Sequence, residues 1–192
     1  MNVITRYCLP VFLCLLTLFA YGESSDAAND HSGSGSGDSQ AAEGETEAPP
    51  GLQNAFDQGL RAREVLKGAI RPGRTAAANA EAIEEALEEA GFAMMEEFNR
   101  PTDTPKTEII FGNHSVGNLG HGIGPSIAWF NPLRMTFEVR PTNLLSIELF
   151  AYTANPEWGG AKVRIPLEDD AVVTERGVEW LYPVNERILL IK

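Results

Sequence analysis

Cysteine is nearly absent from this 192-residue chain, and both copies, Cys8 and Cys14, fall within the first 22 residues. Met1 to Tyr7 carries one positive charge, Arg6, and runs into the apolar stretch CLPVFLCLLTLFA, which is too short for a membrane span of roughly 20 residues. That pattern, closed by Ala20, Tyr21 and Gly22, predicts a secretory signal peptide cleaved after Gly22. The chain beyond it has no cysteine, which excludes disulfides, thiolate nucleophiles and cysteine-based zinc sites there. No second apolar run follows, so no transmembrane span is expected in the processed chain. The predicted location is secreted or extracellular, or periplasmic in a Gram-negative bacterium.

Positive charge is also scarce. Lys and Arg number 15 against 27 Asp and Glu, for a formal net charge of −12. A protein that neutralises nucleic-acid phosphates needs the opposite balance, so no nucleic-acid partner is expected. Between Glu23 and Pro50 there are seven acids, no Lys or Arg, and no Val, Ile, Leu, Met or aromatic residue. Such a segment cannot bury enough apolar surface to offset the entropy of ordering, and it predicts a disordered acidic tether. Its Ser32, Ser34 and Ser36 alternate with glycine between Asp30 and Asp38. In an animal secretory pathway, that spacing resembles glycosaminoglycan attachment sites of small proteoglycans.

Catalytic signatures are missing as well. There is no Gly-x-Ser-x-Gly elbow and no His-Glu-x-x-His. Gly117, Gly120, Gly122 and Gly124 fit neither nucleotide-binding glycine fingerprint. The acidic trio Glu168, Asp169 and Asp170 sits where a hairpin turn is expected. His114 and His121 are two of only three histidines. With Glu108 they are the weak candidates for a metal site, and an enzyme reading would need a metal there. No cofactor is expected.

Two helices are written between Gly51 and Arg100. Leu52, Ala55, Phe56, Ala62, Leu66 and Ile70 share one face at helical spacing. Arg71, Pro72, Gly73 and Arg74 interrupt it, since proline and glycine do not continue a helix cheaply. Thr75 is a natural N-cap for a second stripe of Ala76, Ala80, Ile83, Leu87, Ala90, Met94 and Phe98. The second rod carries a glutamate run, Glu81, Glu84, Glu85, Glu88 and Glu89, which reads as a solvated face or as a docking face for a basic partner.

After Pro101 the pattern becomes β. Short aromatic or β-branched segments at 107–111, 126–130, 134–139, 144–152, 161–165, 178–182 and 187–191 alternate with Gly, Pro, Asn and Asp. Leu145, Ile147 and Leu149 alternate with opposite-face neighbours, which puts one side of that strand on a core. Trp158 lies in a Pro-Gly-rich loop with Asn155 and Glu157, and the three are the candidate ligand-binding residues, an aromatic face with polar contacts. Asn113, His114 and Ser115 form an N-glycosylation sequon, meaningful only in an animal or other eukaryotic secretory pathway.

From Pro132 to Lys192, NPLRMTFEV through LLSIELFAY to AKVRIPLEDD and GVEWLYP looks like the C-terminal half of a C2-type β-sandwich. Calcium-dependent members of that family carry an aspartate-rich loop after the LLSIELFAY-like strand, because a hard cation wants several oxygen ligands. Here residues 153–160 hold one carboxylate, Glu157, so the resemblance implies no calcium site.

The expected architecture is therefore α+β. A signal peptide (1–22) and a disordered acidic Gly/Ser linker (23–50) precede a helical hairpin (51–100) and a small antiparallel β-sandwich (101–192). The expected function is a non-enzymatic secreted or periplasmic module that binds a protein or glycan partner on its β-sandwich surface. The alternative is a small extracellular proteoglycan-like structural protein with glycosaminoglycan on the Ser-Gly repeat.

Overall fold

The computed structural model describes residues 47–117 and 120–190. The segment read as a signal peptide, and Ser32, Ser34 and Ser36 of the tether, lie outside the described residues.

Helix α1 spans Pro50–Ala69. Proline at its first position suits an N-terminus, where the missing N–H costs nothing. The residue before it offers no side-chain cap; instead the Gly51 N–H donates to Glu157 Oε2 at 3.0 Å, from a turn 106 residues away in sequence. Arg71, Pro72 and Gly73 then break the helix, with Gly73 at φ +79°. Asn79, fully buried, holds that corner: its Oδ1 accepts from the Arg71 N–H at 2.8 Å and its Nδ2 donates to the Arg71 carbonyl at 3.1 Å. Helix α2, Ala76–Glu89, starts at Thr75, whose Oγ1 accepts from the Ala78 N–H at 3.1 Å. It stops at Gly91 (φ +91°), short of Met94 and Phe98, because a left-handed residue cannot continue the helix.

Seven strands follow: β1 (Ala93–Met94), β2 (Glu108–Phe111), β3 (Asn113–Gly117), β4 (Gly120–Ile127), β5 (Leu144–Ala154), β6 (Lys162–Thr174) and β7 (Gly177–Trp180). They form a single sheet. Strand β5 is its spine. On one edge it pairs antiparallel with β2 and β3 laid end to end in one register, Phe111 opposite Leu149 and His114 opposite Ser146. On the other it pairs with β6 along its whole length, and β6 then pairs with β7. Strand β1 runs parallel to β2, and β4 folds back on β3.

Alternation along β5 divides the molecule into two sides. Leu145, Ile147, Leu149 and Ala151 are buried with Ile109, Phe111, Ile165 and Leu167 against Ala55, Leu66, Ile83 and Leu87 of the helices. Gly59 permits this close approach: a Cβ there would stand 3.2 Å from Ile165 Cγ2. The intervening residues, Ser146, Glu148, Phe150 and Tyr152, point to the opposite face, where Phe98 meets Phe150 edge-on and Tyr152 donates from its hydroxyl to Asn99 Oδ1.

This architecture overturns the expected sandwich and the C2-type resemblance. A sandwich covers its apolar strand faces with a second sheet. Here the helical hairpin covers them, so the element read as an appendage is one of the two layers. Residues 134–139 form a helical turn (α3, Pro132–Met135) and a single bridge from Glu138 to Thr75, not a strand. Residues 113–117 and 120–125, which fall between two of the expected strands, belong to β3 and β4, and the expected turn at Glu168 to Asp170 lies within β6. Pro166 is tolerated in β6 because β7 pairs only from Ala171 onward, leaving that stretch as a free edge.

Candidate metal centre

The open face of the sheet gathers a histidine and two glutamates. His114 on β3 lies opposite Ser146, and Glu148, two residues further along β5, lies directly opposite Glu168 on β6. The backbone of Glu148 is pinned from the other edge: its carbonyl accepts from the Gly112 N–H at 3.1 Å, and its N–H donates to Asn113 Oδ1 at 3.0 Å. His114 Nε2 is 3.7 Å from Glu148 Oε2 and 3.5 Å from Glu168 Oε1. Its Nδ1 lies 3.3 Å from the Ser115 carbonyl. Its Nε2 is therefore the ring nitrogen that faces the two carboxylates.

Electrostatics sharpen the picture. Like charges placed directly opposite each other across a β-ladder destabilise it. Burial raises the Glu148 carboxyl above its usual range, and the Glu168 charge raises it further, while His114 and His121 pull it partly back. Two facing carboxylates and an imidazole with its Nε2 turned inward are a donor set that a divalent cation satisfies. One ligand atom from each of the three lies within 4.8 Å of the others. Atoms each about 2.1 Å from a shared tetrahedral cation stand about 3.4 Å apart, so the two His–Glu separations fit with little adjustment. Three protein ligands that leave a position open are the pattern of catalytic rather than structural sites.

The acidic trio of β6 is divided by the pleat. Asp169 turns under α1 and pairs with Arg63, itself only 2% exposed, at 2.7 Å, whereas Glu168 and Asp170 face the open side. Ser146, buried beneath the cluster, donates from Oγ to Glu168 Oε1 at 2.9 Å.

The sequence-derived candidates are distributed unevenly. His114 and His121 do meet, with ring centroids 4.2 Å apart. Glu108, weighed as their third partner, does not join them. It lies at the other end of the face, where Thr102 donates to it from N–H and Oγ1 and Lys162 Nζ stands at 3.1 Å. Burial alone would raise its carboxyl, but those Thr102 hydrogen bonds and Lys162 hold it below the usual range. Asn155, Glu157 and Trp158 occupy the turn joining β5 to β6, roughly 20 Å along the strand from Glu148. There Asn155 Oδ1 accepts from the Glu157 N–H at 3.0 Å, Glu157 caps α1, and Trp158 is partly exposed. Asn113 is fully buried against the Glu148 backbone. Glu148 and Glu168 were missed, although a hairpin centred on residues 155–161 would have set them opposite each other.

One face of this helix-backed sheet thus brings an imidazole and two carboxylates together, donor types that bind divalent cations. Residues 42–175 match the family model described as metallopeptidase family M24, and the chain belongs to that family. No curated protein matches it. Among solved structures it is similar to an X-Pro aminopeptidase from Thermotoga maritima MSB8, at 20% identity and a TM-score of 0.52, over 76% of this chain and 35% of that one. It is also similar to a dipeptidase, PepE, from Mycobacterium ulcerans, at 26% identity and a TM-score of 0.47, over 75% of this chain and 33% of that one. The chain thus spans about a third of the length of these structures. Membership of a metallopeptidase family overturns the expected non-enzymatic binding module and its proteoglycan-like alternative. Among the described residues no helix is long and apolar enough to cross a membrane.

Proposed function

We propose that His114, Glu148 and Glu168 hold a divalent cation and that the chain takes part in metal-dependent hydrolysis of peptide bonds. The observation that carries this reading is the cross-strand Glu148–Glu168 pair, closed by His114 Nε2 at 3.7 and 3.5 Å. Without a cation that arrangement is a ladder of facing like charges; with one, its charges are balanced. A bound cation of this kind polarises a carbonyl and lowers the pKa of a bound water to near 7. The protein's own contribution is orientation. The pinned backbone of Glu148 fixes one carboxylate, and the contact of Nδ1 with the Ser115 carbonyl fixes the imidazole. The exposed ring of His121 packs against His114 on the solvent side of the cluster.

Calorimetric titration with cobalt(II) or manganese(II) tests the assignment. One ion per chain is expected to bind, with His114→Ala weakening it by at least about tenfold, in line with loss of a direct ligand. Absence of stoichiometric binding to the wild-type chain would reject the proposal.

A further inference from the structure

Of the three proposed ligands, Glu168 is the least restrained. Its side chain is 58% exposed, against 14% for His114 and 29% for Glu148. An exposed glutamate samples several rotamers, and confining it to one is entropically unfavourable. Among the described residues, the one side-chain hydroxyl that donates to it is Ser146 Oγ, at 2.9 Å from Oε1. Ser146 is itself buried in the middle strand, with His114 opposite it on one edge and Asp170 on the other, so the hydroxyl is a rigid donor set into the floor of the site.

We infer that Ser146 is a positioning residue for the metal centre, acting through Glu168. This rests on the metal assignment made above. The hydroxyl engages Oε1, the oxygen that also lies nearest His114 Nε2, and so turns the carboxylate inward across the ladder toward Glu148. Strand pairing alone would bring the two glutamate backbones together but would not orient the exposed carboxylate. Groups that hydrogen-bond a metal ligand set its orientation, and their loss costs about 10–100-fold in metal affinity.

Cobalt(II) titration of the full chain tests this, read by calorimetry and by the visible absorption of the bound ion. Ser146→Ala should bind cobalt about 10–100-fold more weakly, with an altered absorption band, while its metal-free form melts close to the wild type. Ser146→Thr, which keeps the hydroxyl, should restore most of the affinity. Because the effect is routed through Glu168, adding Ser146→Ala to Glu168→Gln should produce no further loss. Wild-type affinity in Ser146→Ala, or an undiminished loss in the Glu168→Gln background, overturns the inference and leaves the metal assignment standing. Failure of the wild type to bind cobalt overturns both.

Discussion

Leu149 and Glu148 are neighbours on one strand, yet they belong to different kinds of surface. Leu149 is sealed beneath α1 and α2 in a continuous apolar layer, where its contacts supply cohesion. Glu148 lies on the other face, opposite a second carboxylate, where burial and repulsion both act against its charge. Apolar cohesion is concentrated on one side of the sheet, and a facing carboxylate pair, offset in part by His114 and His121, on the other.

Three measurements would break or sharpen that contrast. The largest effect belongs to the covered face: Leu149→Ala should destabilise the chain by about 3 kcal/mol in denaturant unfolding, from lost burial and a residual cavity. A much smaller loss would mean that the helices are not firmly seated on the sheet. An intermediate effect is expected at the far end of the other face, around Glu108. Glu108 titrates below its unfolded value near 4.3, so the unfolded state takes up its proton first as the pH falls. The stability it contributes is complete above about pH 4.3 and is lost below it as the pH passes through the depressed folded value. Acid unfolding should show a loss of stability across that window, and Glu108→Gln should remove its pH dependence. The smallest effect is predicted for Glu148→Gln. In the metal-free chain at neutral pH, removing a charge that the fold disfavours should shift stability by no more than about 0.5 kcal/mol, and toward stabilisation. A large destabilisation would show that Glu148 is structural, against the division drawn here.

The helix-backed face was more legible in the sequence than the face that carries the cluster. Leu145, Ile147 and Leu149 stand out by strict alternation, and the two helical stripes by their period, because a buried surface must be apolar throughout. What periodicity does not say is which layer meets which, so strands that bury one face against helices read like strands of a sandwich. The site was harder to see because its members are paired by register, not by nearness in sequence. His114, Glu148 and Glu168 come from three strands, and Glu168 was concealed in a run of acids after Pro166 that resembles a turn. The pleat separates that run, sending Asp169 to Arg63 and Glu168 to the cluster. Glu108 misled for the converse reason: an acid near two histidines in sequence was committed to Thr102 and Lys162 in space.

The same alternation acts as a proofreading device for strand pairing. A slip of β5 by one residue would drive Ser146 and Glu148 beneath the helices and turn Leu145, Ile147 and Leu149 out to water. Each error would be penalised twice, once by a buried charge and once by an exposed aliphatic. The residues that serve no role in the core therefore help to specify it, and a chain assembled in the wrong register would lose its fold and its proposed metal ligands in the same step.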